Sequence, residues 1–147
     1  MSSGGTGKWI LMAATLMVVA AVVAGIAVLG SPAAERRARL DAARLADLRT
    51  IERLTASYSR VHRALPDSLE ALAREPGYSV PANDPDSRAP YVYKRLTAES
   101  FQLCAVFDTD SATRPEGDPY GSAFNAEWMH GQGLHCFERH VKLPEQP

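Results

Sequence analysis

From Trp9 to Gly30 the chain holds no charged residue, and nearly every position is Leu, Ile, Val, Ala or Met. Strongly charged sequence begins at Glu35. An apolar run of about 20 residues, rising about 1.5 Å per residue as a helix, covers the roughly 30 Å hydrocarbon core of a bilayer once. The pattern therefore predicts a transmembrane helix over residues 9–30, with Trp9 at the interface. Leu11, Leu16, Val19, Val23, Ile26 and Leu29 are its lipid-facing candidates. A signal peptide is the rival, with Lys8 as its basic start and Ser31-Pro32-Ala33 near a cleavage point. Signal cores are shorter, about 7–15 residues, so the length favours an anchor. A soluble core helix seldom runs this far without a polar face.

Gly30-Ser31-Pro32 punctuates the run, and a second helical pattern follows from Pro32 to about Ala64. Leu48, Ile51, Tyr58, Val61 and Leu65, with Leu54 between, recur at near-helical spacing and predict one buried stripe. Arg36, Arg37, Asp41, Arg44, Asp47, Arg49, Glu52, Arg53 and Arg60 lie on the other faces and read as solvated. The part before Leu45 is poor in large apolar residues and reads as a stalk. Pro66 ends the helix. Asp67-Ser68-Leu69-Glu70 then reads as a capping box, with Asp67 as cap and Leu69 and Leu72 facing inward. Proline and asparagine punctuation makes residues 78–90 a loop.

Two strands are predicted next. Residues 91–96 are aromatic and β-branched, and Phe101, Leu103, Ala105 and Phe107 share one face by alternation. Thr97 to Ser100 suits a hairpin turn. Residues 108–133 form a long irregular segment, and Leu134 to Val141 is a third strand. The expected fold class is α+β: a transmembrane helix, then an amphipathic helix on a small antiparallel sheet. The expected organisation is a tail over 1–8, the span over 9–30, the amphipathic helix over 31–65, a globular domain over 66–143 and a tail over 144–147.

Charge and cysteines add compartment and chemistry. Of 16 basic residues, removing Lys8 leaves 15 against 17 acidic ones, so no nucleic-acid surface is implied. Arg36, Arg37, Arg39, Arg44 and Arg49 follow the span while only Lys8 precedes it. By the positive-inside rule alone, that places the C-terminal domain in the cytoplasm. Translocated arginines would instead meet anionic headgroups. Cys104 and Cys136 argue the other way, because an even pair in an exported domain reads as a disulfide. The alternatives are free thiols, or a metal-binding or enzymatic site in the Cys136–His140 region with His130, His135 and His140. His135 and Cys136 are adjacent, and strand neighbours point to opposite faces, which disfavours shared ligation.

An apolar N-terminal helix, an amphipathic helix, Leu65-Pro66-Asp67-Ser68-Leu69, Asp84-Pro85 and Pro90-Tyr91-Val92-Tyr93 follow one another in that order. The series resembles the type IV pilin-like proteins, most closely the major pseudopilins of type II secretion, over roughly residues 9 to 107. In that family Leu-Pro-x-Ser-Leu closes the long helix, and Asp-Pro-Trp-Gly-x-Pro-Tyr-x-Tyr leads into the sheet. Here one extra residue intervenes, and Asp86-Ser87 replaces Trp-Gly. The resemblance implies a pilin-like domain on the periplasmic or outer side of the inner (cytoplasmic) membrane. It implies a structural role in an envelope or secretion assembly, through self-association or contact with other components. The family's leader ends in Gly before Phe-Thr-Leu-x-Glu. Here Gly25 precedes Ile26-Ala27-Val28, and no Glu lies in the run. An uncleaved anchor is the reading, with a true pseudopilin of degenerate processing site as the alternative.

Asp108, Asp110, Glu116 and Asp118 crowd the long loop and are hard-oxygen candidates for Ca²⁺. The resemblance adds to this, since major pseudopilins carry calcium in a loop after the sheet begins. Ordinary solvated acids are the alternative. Ser3 to Lys8 lacks the glycine spacing of a phosphate loop, and no Gly-x-Ser-x-Gly or His-Glu-x-x-His occurs. A non-enzymatic protein is expected. Trp128 reads as a cover for the sheet core or a loop.

Overall fold

The computed structural model describes residues 4–29, 31–113 and 127–143. In chain order the elements are α1 (Gly4–Leu29), α2 (Pro32–His62), α3 (Leu69–Ala73), β1 (Val92–Arg95), β2 (Ser100–Phe107), a 3-10 turn (Ser111–Thr113) and β3 (Gly133–His140). They form two compact units, Met1–Arg36 and Arg37–Pro147.

In the first unit, residues Gly7–Ile26 make a 20-residue window of mean hydropathy 2.5 with none of it buried. Trp9, Leu11, Leu16, Val19, Val23 and Ile26 are all exposed along α1, and Leu29 closes it. Thr15 is satisfied without water, because its Oγ1 donates to the Leu11 carbonyl at 2.9 Å. Length and composition fit a membrane anchor or a signal sequence. The helix begins upstream of Trp9, since backbone hydrogen bonding does not stop where apolar sequence does.

In the second unit, the buried side of α2 is Asp41, Arg44, Leu45, Leu48, Ile51, Thr55 and Ser59. At about 100° per residue, Asp41, Thr55 and Ser59 lie within roughly 20° of Leu48, while Val61 lies roughly 140° away. This corrects three expectations. Val61 is 73% exposed rather than part of the stripe. Asp41 and Arg44 are buried rather than solvated. The segment before Leu45 is not a bare stalk, because packing on the domain reaches back to Asp41. The stripe joins Leu45, Leu48 and Ile51 to the small polar Thr55 and Ser59, so apolar character alone does not mark it. Asp47 and Glu52 also have protein partners, Tyr91 Oη at 2.8 Å and Arg139 Nε at 3.6 Å.

α2 ends at His62 because Arg63 turns left-handed, at φ 54. Glycine or asparagine usually takes that position. Pro66 follows and cannot continue the helix. The cap of α3 is Ser68, not Asp67: its Oγ accepts from the Ala71 N–H at 3.2 Å. Asp67 instead accepts from Arg95 Nη1 at 2.9 Å.

The sheet has three antiparallel strands in the order β1-β2-β3. β1 is shorter than expected at both ends. Tyr91 N–H donates to the Ala82 carbonyl at 2.9 Å, outside the sheet, and Leu96 N–H already closes the hairpin on the Ser100 carbonyl at 2.9 Å. Thr97 Oγ1 accepts from the Ser100 and Glu99 amides and stiffens that turn. Phe101, Leu103, Ala105 and Phe107 all face the core, as alternation predicts. They pack with Leu45, Leu48, Ile51, Leu69 and Leu72. Trp128 lies on Phe137 at 4.7 Å between ring centres, with the Arg139 guanidinium 3.9 Å above it. It therefore covers the sheet core.

Leu48 has no exposed surface, so Leu48→Ala is expected to lower unfolding free energy by about 2–5 kcal/mol in denaturant titration. Thr55 Oγ1 is buried with no hydrogen-bond partner among the described residues. Thr55→Val keeps the shape and removes the unmet hydroxyl. It is expected to raise stability by about 1 kcal/mol, measured in the same titration.

Candidate functional site

Where α2 meets the loop before β1 and the end of β2, one guanidinium is enclosed by carboxylates. Arg44 Nη1 donates to Asp41 Oδ1 and to Asp108 Oδ2, each at 2.7 Å, and Nε donates to Asp84 Oδ2 at 2.5 Å. Asp41 is three residues back on the same helix, a spacing that places side chains on one face. Asp84 and Asp108 are 40 and 64 residues away in sequence. The side chains of Arg44, Asp41 and Asp84 are buried, and that of Asp108 is 40% exposed.

Three carboxylates exceed one cation, and backbone donors carry the difference. Asp41 Oδ1 accepts from the Asp108 N–H at 2.9 Å, and Oδ2 accepts from Thr109 N–H at 2.8 Å and Oγ1 at 2.6 Å. Asp84 Oδ1 accepts from the amides of Asp86 at 2.9 Å and Ser87 at 2.8 Å. That Asx turn suits Asp84-Pro85, since an aspartate starts the turn and proline sets the next φ. Arg88 completes it with φ 62, and the Asp84 N–H donates to the Ala89 carbonyl at 2.8 Å.

These contacts set the protonation states. Burial works against the charge on Arg44, but its bonds to Asp84, Asp108 and Asp41 outweigh it and raise the pKa above the ordinary value. Burial likewise pushes the Asp84 carboxyl up. The Arg44 bond and the Ser87 and Asp86 amides prevail and bring it down to about 2. Beside the cluster, burial raises Asp47, an effect partly offset by the Tyr91 hydroxyl. Burial and the bond to Asp47 push Tyr91 well above its usual range. Guanidinium and carboxylates are turned on one another and on the backbone. The arrangement fastens three chain segments together.

The expected disulfide is present. Cys104 and Cys136 sit opposite each other in the β2–β3 register, with Cα atoms 4.0 Å apart and the sulfurs bonded across 32 residues of sequence. Such a loop stabilises by roughly 3–4 kcal/mol in the chain-entropy model. With its sulfur in this bond, Cys136 carries no free thiol, which corrects the free-thiol alternative. The histidines are dispersed. His130 stacks on Phe107 at 3.8 Å, His135 lies 4.8 Å from the Phe137 ring, and His140 lies 3.8 Å from Glu138. Among the described residues no group of three or more His, Cys, Asp or Glu is placed to hold a metal ion. Of the calcium candidates, Asp108 is turned to Arg44 and Asp110 accepts from the Ala112 N–H at 2.8 Å. Glu116 and Asp118 lie outside the described residues.

Sequence reasoning passed over Arg44 because a charge on a helix usually faces water. The Asp41-x-x-Arg44 spacing and the Asp84-Pro85 turn were visible, but their meeting depends on the fold. No protein family, characterised protein or solved structure matches the chain.

Arg44→Met leaves buried carboxylates without their cation and is expected to cost about 3–5 kcal/mol at neutral pH, measured by denaturant titration. A second expectation concerns acid. Asp84 ionises at about 2 in the fold against an ordinary 3.8, so its contribution is complete above the unfolded value and is lost as pH falls through the folded one. A stability–pH profile should lose roughly 2 kcal/mol from this group between about pH 4 and pH 2. Asp84→Asn should flatten that limb.

Proposed function

We propose that this chain is a single-pass protein of the inner (cytoplasmic) membrane, anchored by α1, with a pilin-like domain in the periplasm. Its role is non-enzymatic: structural or scaffolding, within an envelope or secretion assembly. The observation that carries the reading is the cystine joining β2 to β3 in a domain that follows an apolar helix of spanning length. Disulfides persist where the surroundings are oxidising and are rare in the cytosol. For the side of the membrane this weighs more than the arginines after the span, because a charge bias sets orientation only statistically.

The pilin-like reading has its own support. Two of the segments that carry the resemblance touch: Tyr93 Oη donates to the Pro66 carbonyl at 2.9 Å. A third, Asp84-Pro85, forms the turn that Arg44 holds. The structural role is supported by the character of the Arg44 cluster, which is closed and holds segments together. A bonded Cys136 weakens the enzymatic alternative.

Protease added to spheroplasts that carry the full chain tests the reading. The domain should be cut before lysis, and both cysteines should resist alkylation until reductant is added. A domain protected until lysis, with reactive thiols, would contradict it. A mature N-terminus inside the apolar run would transfer the chain to the processed pseudopilin reading.

A further inference from the structure

Among the described residues, the outer face of the sheet exposes Val92, Val106 and Leu134, while Cys104 on the same face is buried. Its side chains fall into rows fixed by the register. Lys94, Gln102 and Glu138 form one row, Val92, Cys104 and Cys136 the next, and Val106 with Leu134 the third. Residues between them, such as Tyr93, Leu103 and Phe137, point to the opposite face and pack in or against the core. Val92, Val106 and Leu134 are 52%, 59% and 69% exposed. Three exposed apolar side chains thus flank a cystine at one end of the face, and charged groups lie at the other end.

The distribution of these groups has a symmetry consequence. Lys94 is on one edge strand and Glu138 on the other, in the same row about β2. A two-fold axis running along β2, above the face, exchanges the edges and keeps the rows. Lys94 then meets Glu138 of a second copy, and Glu138 meets its Lys94. Gln102 and Val106 each meet their own equivalents, and the cystine row faces the cystine row. Apolar meets apolar, and unlike charges meet twice. That is the self-complementarity a two-fold interface needs. Face-to-face sheets hold their strands within about 30° of one another, as this axis requires.

From this we propose that the outer face of the sheet docks a second copy of this chain, about a two-fold axis along β2, with Lys94 and Glu138 as the paired charges and Val92, Val106 and Leu134 as the apolar centre. The face belongs to the domain, so the proposal does not depend on the anchor reading. Only three exposed apolar side chains per copy form the centre, so a weak, reversible pair is expected. Within the chain, Glu138 also lies 3.8 Å from His140, which leaves its carboxylate at the surface.

The test is energy transfer between donor- and acceptor-labelled full-length chains in detergent, over a concentration series at low salt. Wild-type chains should pair. Val106→Glu places like charges on the axis and should weaken pairing about tenfold or more. Lys94→Glu alone and Glu138→Lys alone each place like charges at both contacts and should weaken it similarly. A mixture of those two variants restores unlike charges at both contacts and should pair as wild type does. Wild-type transfer no greater than that of Val106→Glu would overturn the proposal. So would a mixture that pairs no better than its parents.

Discussion

The buried guanidinium of Arg44 is the constraint on which the arrangement of the domain depends. It gathers a carboxylate from its own helix, one from the turn before β1 and one from the residue after β2. Burying a charge is expensive unless it is paired and hydrogen-bonded throughout. Arginine meets that condition because its planar fork offers several donors in fixed directions. Asp41 and Asp84 spread the excess negative charge onto backbone amides of Asp108, Thr109, Asp86 and Ser87. Asp41 thus ties the helix to the segment after β2, and Asp84 holds its own turn while it binds Arg44.

The remaining structure divides between this polar fastening at one end and an apolar core beyond it. Leu48 and Ile51 of α2 pack on the face of β2 that presents Phe101, Leu103 and Phe107. The cystine sits on the other side of the same strands. For a domain of this size, core burial alone leaves a narrow margin, and a cross-link of this span is a large share of it. The two devices act on different states: the cystine limits the unfolded chain, while the Arg44 cluster selects one packing of the folded one.

Much of this layout is legible in the residues, and the exceptions have physical causes. Strict alternation from Phe101 to Phe107 located the inner face of β2, because period two has no other explanation in so short a run. Turn chemistry located the hairpin at Thr97–Ser100. The α2 stripe departs from the apolar pattern because Val61 is large and apolar while Thr55 and Ser59 are not, yet helical phase places the latter pair inward. Ser68 and Asp67 are both good caps, and the pairing of Asp67 with Arg95 is a long-range contact that local sequence does not contain. The Arg44 cluster joins residues 40 and 64 positions apart, so only Asp41 was within reach of a pattern argument.

If Arg44 is what joins the three segments, their amides must become accessible together when its fork is removed. Native-state hydrogen exchange of Arg44→Lys against the wild type measures this, because lysine keeps the charge and loses the planar geometry. The account predicts that the Ser87 and Thr109 amides lose protection in concert, by about tenfold or more, while the β2–β3 ladder keeps its own. Unchanged protection at both amides, or loss at one alone, would contradict it.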